Sequence, residues 1–393
     1  MDIIYTGEEM PEVINKSIFL AGPSLRPGQE KTMTSWRQDA IKILEDKGFD
    51  GTVFCPEPRD LIFSDNFDYD NQINWEDKYL NLADCIVFWI PRDLSQDENG
   101  NIKFPAFTTN LEWGHWGDSG KVVYGAPGDA EKNNYIDLYA KNFNIDKANS
   151  LTELMDNALE LIGEGVDREG GDRYVPLYIW NLPSFQSWHK AQVEAGNKIE
   201  FARLLYNFRP KQKDFIFLWI LKVSMYIAAE DRVKTDEFVL ARPDISSILL
   251  FKRNSEILDT EVVVIKEYRP AVSNKESFVR ELPSGSAKDA TAFETAAEEL
   301  HEETGFYLNP KRLKFIKARQ IIATLSSHKS YLYCVEISDD ELKWFRSQEG
   351  IVHGVLSVGE RTFIEVKSIQ ELLQSDELDW SNLGMIFSGY YSK

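Results

Sequence analysis

Cysteine is scarce in this chain. Cys55, Cys85 and Cys334 are the only three, and they stand too far apart for a zinc-ligand spacing or a disulfide framework. Cys85 lies in an apolar run and reads as core. Long apolar runs are lacking too: the greasiest stretch, FIFLWILKVSMYIAA over 215–229, is broken by Lys222 and Ser224 and is too short to span a bilayer. The opening residues, MDIIYTGEEMPE, are acidic, with no basic segment followed by an apolar one, so no signal peptide is expected. Positive charge is in deficit, with 44 Lys+Arg against 64 Asp+Glu and a formal net charge of −20. That balance argues against a broad nucleic-acid or anionic-membrane surface, and leaves room for a nucleotide held by a local donor cluster or a metal ion. A soluble, cytoplasmic protein is the expectation, with no nucleic-acid and no membrane partner.

What is present is ample core material. Hydrophobic residues make up 43% and aromatics 12% of 393 residues, enough for two or three domains. The first part alternates apolar strands with helical patterns. SIFLAG, GTVFCPEP, IVFWIP and KVVYGAP read as strands. WRQDAIKILEDKGF, NWEDKYLNLADC, a stretch from near Thr109 through LEWGHW, and LTELMDNALELIGE read as helices. Strict alternation implies an α/β domain, a parallel sheet with helices on both faces. GEGVDREGGDR (163–173) reads as a linker, and PSFQSWHKAQVEAGNKIEFARLLYNF (183–208) as a helical connector. From about Phe215 the pattern becomes α+β: SSILLFKR, EVVVIKEYRP, KFIKARQIIA, KSYLYCVEI and RTFIEV read as strands. A helix is expected over 291–303, with short ones near 339–347 and 368–374. The expected division is 1–165, a connector over 166–214, and 215–393.

AAEELHEETGF (296–306) concentrates four glutamates, of which Glu299, Glu302 and Glu303 stand at i, i+3 and i+4 on one helix face. Like charges so close are either a solvated acidic face or a site for a hard divalent cation that in turn holds phosphates. Gly305 suits the left-handed end of such a helix.

With ELPSG (281–285) and EVVVIKEYRPAV (261–272), this helix resembles the Nudix hydrolases, their ADP-ribose pyrophosphatase branch in particular. Glu299, Leu300, Glu302, Glu303, Gly305 and Phe306 match the second half of the family signature, and the resemblance covers roughly 220–393. It implies a mixed sheet with an acidic helix, and Mg²⁺- or Mn²⁺-dependent hydrolysis of a nucleoside diphosphate-linked compound such as ADP-ribose. It places the metal on Glu299, Glu302 and Glu303, the chemistry on Glu302, Glu303 and a general base at Glu360, and ligand contacts at Arg269 and Glu281. A surface ion pair is the plain alternative for the last two. Two departures stand out: Glu298 replaces the family arginine, and the signature's first glutamate has no counterpart, Ala290 falling eight residues before Glu298.

IFLAGPS (18–24), QINWEDKYLNLADCIVFWIP (72–91) and TTNLEWGHWGDSGKVVYGAP (108–127) together resemble the nucleoside 2-deoxyribosyltransferase-like family, over about 15–165. This implies a flavodoxin-like domain that binds nucleosides or nucleotides and exchanges or hydrolyses the base. Glu112 matches the family's nucleophile, a carboxylate suited to an oxocarbenium-like centre. Gly22, Glu76, Asp84 and Thr109 fall where the family binds substrate. The plain alternatives are a helix N-terminal charge for Glu112 and a strand-entry cap for Asp84. Transferases carry an aspartate six residues before the nucleophile; here Ala106 stands there, which favours hydrolysis or binding over base exchange. His115 and His301 read as packed and surface residues. The function expected is thus Mg²⁺-dependent diphosphate cleavage joined to nucleotide binding or N-glycosidic cleavage, on a small-molecule nucleotide, in a homo-oligomer. The alternative is a nucleotide-sensing regulator with catalytically weakened domains.

Overall fold

Six short apolar strands make the first sheet: β1 (Asp2–Tyr5), β2 (Ser17–Ala21), β3 (Thr52–Cys55), β4 (Cys85–Trp89), β5 (Val122–Gly125) and β6 (Lys147–Ala148). Their order is β1-β3-β2-β4-β5-β6 and every pair is parallel. Helices α1 (Trp36–Asp46), α2 (Tyr69–Leu82), α3 (Phe107–Trp116) and α4 (Asn134–Asn142) supply the crossovers, and α5 (Leu151–Ile162) follows β6. In β2, β3 and β4 every residue is buried, because helices cover both faces. Ile18, Leu20, Val53, Cys85 and Val87 face one core, and Phe19, Phe54, Ile86 and Phe88 the other, as the two-residue period of a strand demands. Ser35, Asp68 and Ser150 cap α1, α2 and α5 through their side chains. The computed structural model describes residues 1–25, 34–62, 68–97, 100–210, 215–286, 292–355 and 359–392. None of its described helices is long and apolar enough to cross a membrane.

The connector differs from expectation. Arg168–Glu169 pairs with Val13–Ile14, and Arg168 is buried at 1% exposure. The charged, glycine-rich segment is therefore stitched into the first unit, because its arginine has a buried carboxylate to meet. The run 183–208 is helical only as α6 (Pro183–Glu194). Gly196, at φ +78°, takes a left-handed turn that ends it, and β7 (Lys198–Phe208) follows. It joins β8 (Leu218–Ile227) and β9 (Arg232–Ala241) in a three-stranded sheet. Trp219, Leu221, Val223 and Met225 are buried at every second position of β8, a strand period. In β7, Phe201, Leu205, Tyr206 and Phe208 are exposed, which hid the alternation. The chain divides into compact units Met1–Val239 and Leu240–Lys393, later than the boundary expected at 215.

The second unit is built on a mixed sheet of eight strands. In chain order they are β10 (Ile245–Lys252), β11 (Glu261–Tyr268), β12 (Phe278–Glu281), β13 (Ser284–Ser286), β14 (Lys314–Gln320), β15 (Lys329–Glu336), β16 (Val352–His353) and β17 (Thr362–Ser368). The path runs β14-β15-β10-β11-β17-β16, with β12 on β11 and β13 on β10, and β10 is parallel to β15. Helix α7 (Ala292–Thr304) is the acidic one; residue 291 of the expected span lies outside the described residues. α8 (Asp339–Ser347), α9 (Ile369–Gln374) and α10 (Trp380–Tyr390) complete the unit. Ala296 and Leu300 of α7 pack with Ile248, Val263, Tyr333 and Ile364 of the sheet, which turns the helix's other faces away from this core.

Candidate functional sites

The strand order of the first sheet reverses between β2 and β4, and the crevice beyond their C-terminal ends is where open α/β sheets bind ligands. Gly22 closes β2 at φ +152°, and a Cβ there would lie 2.3 Å from the Trp89 carbonyl oxygen and 2.8 Å from the Trp36 ring. Only glycine lets the backbone pass so close. Beneath it Arg37, 1% exposed, donates Nε to the Leu20 carbonyl at 2.9 Å, Nη2 to the Gly22 carbonyl at 2.7 Å, and Nη1 to Ser24 Oγ at 3.0 Å and Glu57 Oε1 at 2.8 Å. Ser35, the cap of α1, donates to that same Glu57 oxygen at 2.9 Å.

Two further carboxylates enter from α2 and α3. Gln72 and Glu76 share a face of α2, and the Gln72 amide donates to Glu76 Oε1 at 2.5 Å. Glu112 stands in the second turn of α3, half-buried. Burial pushes its carboxyl up to about 7, with the negative charge of Glu76 adding to the effect and Arg37 opposing it. Glu76 is itself raised by burial, against the Gln72 hydrogen bond and Arg37. Helix α3 starts from Ala106 in the left-handed region, φ 54°, without a side-chain cap. Such a conformation in a residue with a Cβ is backbone strain held by its surroundings. Thr109, fully buried, sits one turn before Trp113 in α3, and its Oγ1 has no hydrogen-bond partner among the described residues. His115 is exposed, edge-on to Trp116.

Asp84 is not part of this group. It precedes β4 at the opposite, N-terminal end of the sheet, and its oxygens are taken by Arg168 Nη1 at 3.0 Å and Nη2 at 2.6 Å, Ser17 Oγ at 2.9 Å and the Leu177 amide at 2.5 Å. A buried carboxylate with four donors closes the chain on itself.

In the second unit, Glu267, Glu303 and Glu360 bring carboxylate oxygens within 4.8 Å of one another. Glu303 is 2% exposed, accepts from the Ser284 amide at 2.9 Å, and is held well above the usual carboxylate range by burial, with Glu299, Glu360 and Glu267 adding repulsion. Glu267 is 9% exposed and its Oε2 accepts no hydrogen bond among the described residues. It does lie 2.9 Å from Arg269, which also meets Glu281 at 2.9 Å. Glu299 packs on Gly285, where a Cβ would fall 1.8 Å from its carboxyl carbon. Glu302 points to solvent and does not belong to the group. One turn of helix separates Glu299 from Glu303, and the helix rotation that buries Glu303 carries Glu302 outward. Glu298 is exposed; Ala290 lies outside the described residues. Glu267 was not foreseen, although a carboxylate ending an apolar strand two residues before Arg269 is a visible signal. Arg37 was missed as well, yet it stands in register with Ala40, Ile41 and Leu44 on the buried stripe of α1.

Residues 15–130, which include Gly22, Glu76 and Glu112, match the family model described as nucleoside 2-deoxyribosyltransferase like, so the N-terminal unit contains a domain of that likeness. No curated protein matches the chain. Among solved structures, a crystal structure of an ADP compounds hydrolase aligns at 16% identity and a TM-score of 0.33, over 49% of this chain and 91% of that one. Similarity at that level is not evidence of shared chemistry.

Proposed function

We propose that the N-terminal unit cleaves the N-glycosidic bond of a nucleoside or nucleotide. The observation that carries this reading is the pairing of Glu112 with Glu76 in the crevice of a nucleoside 2-deoxyribosyltransferase-like domain. Breaking the bond sends its electron pair to the base nitrogen, which must gain a proton, and leaves positive charge on the anomeric carbon. Glu112 as carboxylate stabilises or traps that carbon. The base takes its proton from solvent water, since Glu76 carries the negative charge that raises Glu112 and is therefore no proton donor beside it. Water then adds hydroxide to the anomeric carbon and returns a proton. Ala106, in place of an aspartate, favours water over a second base. The test is product analysis by mass spectrometry on nucleosides, nucleoside monophosphates and NAD. Free base released by the unmodified protein and lost in Glu112→Gln supports the reading; no free base from any of them refutes it.

A second reading, for the C-terminal unit, rests on a separate observation: three carboxylates within 4.8 Å of one another, with Glu303 almost wholly buried among them. Oxygen donors of this kind fit Mg²⁺ or Mn²⁺. We propose that Glu267, Glu303 and Glu360 hold such an ion in a Nudix-type pyrophosphohydrolase acting on ADP-ribose or a related diphosphate. Bound there, the ion would neutralise the cluster and polarise a diphosphate. Arg269, fixed between Glu267 and Glu281, presents a guanidinium beside it, and Glu360, the least buried of the three, is placed to take a proton from water. Mg²⁺-dependent release of nucleoside monophosphate from ADP-ribose, lost in Glu303→Gln and kept in Glu112→Gln, is expected. Release that is indifferent to Mg²⁺ sinks the reading.

A further inference from the structure

We infer that Arg37 is a positioning residue of the crevice: its buried guanidinium shapes the loop at Gly22 and, balanced against Glu57, sets how readily Glu112 ionises. The inference rests on the reading of Glu112 as the reacting carboxylate, and extends it to a residue that touches no substrate.

The geometry is specific. Four of the acceptors of Arg37 lie within residues 20–24: the carbonyls of Leu20, Gly22 and Pro23 and the hydroxyl of Ser24. The fifth is Glu57, just beyond the end of β3. One side chain thus ties together the loops that follow two neighbouring strands, at the edge where Gly22 approaches Trp89. A lysine has no planar fork to do this. Arg37 and Glu57 are 1% and 0% exposed at their side chains, whereas Glu76 and Glu112 have no ion-pair partner among the described residues. The positive charge acting on both is Arg37. The remaining groups around it are Glu57 and the Cys55 thiol, from the end of β3. Glu57 Oε2 accepts no hydrogen bond among the described residues, so this carboxylate draws on Arg37 and Ser35 alone. Removing the Glu57 charge therefore leaves more of the arginine's field for Glu112, and removing Arg37 leaves less.

The test uses the full chain and reads the Glu112 carboxyl by ¹³C NMR titration, its signal identified by its loss in Glu112→Gln. Glu57→Gln is expected to move the midpoint below that of the unmodified protein and Arg37→Met above it, each by on the order of one pH unit. Arg37→Lys keeps the charge and loses the fork, so it leaves the midpoint near its starting value and raises KM several-fold. Shifts in the same direction, or no shift in a folded Glu57→Gln protein, overturn the inference. Should Arg37→Met fail to fold, Glu57→Gln alone decides: a midpoint that stays or rises refutes the charge balance. The titration needs no turnover, so absence of glycosidic products with the shifts intact refutes the reaction alone.

Discussion

Replacing Arg168 by methionine tests whether Asp84 is a strut or a ligand residue. The pair is sealed, with side-chain exposures of 0% and 1%. The substitution leaves Asp84 with only Ser17 and the Leu177 amide, and strips the Asn15 and Val175 carbonyls of the donors that Arg168 supplies. Removing one partner of a buried ion pair costs about 3–5 kcal/mol, and the orphaned Val175 carbonyl adds roughly 1 kcal/mol or more, whereas the Asn15 carbonyl keeps the Val166 amide. For a unit of this size the loss lowers Tm by roughly 10 °C or more. Eight of the ten tryptophans lie in Met1–Val239, so fluorescence-monitored unfolding reports mainly on the unit concerned. A second variant, Asp84→Asn, sets an amide against the guanidinium and is expected to destabilise in the same direction. Ligand affinity of the folded fraction should be unchanged in both. Unfolding within about 1 kcal/mol of the unmodified protein, a change typical of surface sites, together with a tenfold loss of nucleotide affinity, would refute the strut and return Asp84 to the substrate.

Three other expectations follow from named contacts. Glu76→Gln removes the like charge beside Glu112 and lowers its midpoint from about 7 toward the ordinary range. If Glu112 works as the carboxylate, the acid limb of kcat/KM moves to lower pH; a limb that stays or moves up contradicts the coupling. Lys121, 1% exposed, donates to the carbonyls of Leu80, Asn81 and Ala83 at 2.7, 2.9 and 3.0 Å. Lys121→Met orphans these groups at the end of α2 and should cost about 2–4 kcal/mol in denaturant unfolding, with Mn²⁺ binding untouched. At the carboxylate cluster, Glu303 is raised in the free protein, so cation binding must expel its proton. Affinity for Mn²⁺ should therefore rise with pH, and Glu267→Gln should weaken it at least tenfold; calorimetry in buffers of different ionisation enthalpy reads both the affinity and the released proton.

Much of the architecture is legible locally. The strands β2, β3 and β4 announce themselves as apolar runs because helices cover both faces of their sheet, and α1, α5 and α7 by their helical period. Gly22 and the acidic helix mark both candidate sites without reference to anything distant. Where legibility fails, the deciding contact is remote in sequence. Arg168, in a segment that reads as a linker, is drawn inward by Asp84, 84 residues away. The run after Gly196 carries apolar residues on both faces, and only pairing with β8 makes it a strand.

The same distinction divides the sites. Residue types and spacing by themselves determined an α/β first half and a helix dense in glutamate, because those patterns repeat with the period of a single element; Glu76 and Glu112 were singled out only through a family resemblance. Which carboxylates meet was decided only in three dimensions. Glu267 on β11, Glu303 on α7 and Glu360 ahead of β17 converge, Glu302 turns away, and Arg37 comes to lie under Gly22. Helix rotation and strand register choose those neighbours, and both are set by how each element buries its apolar face against the others.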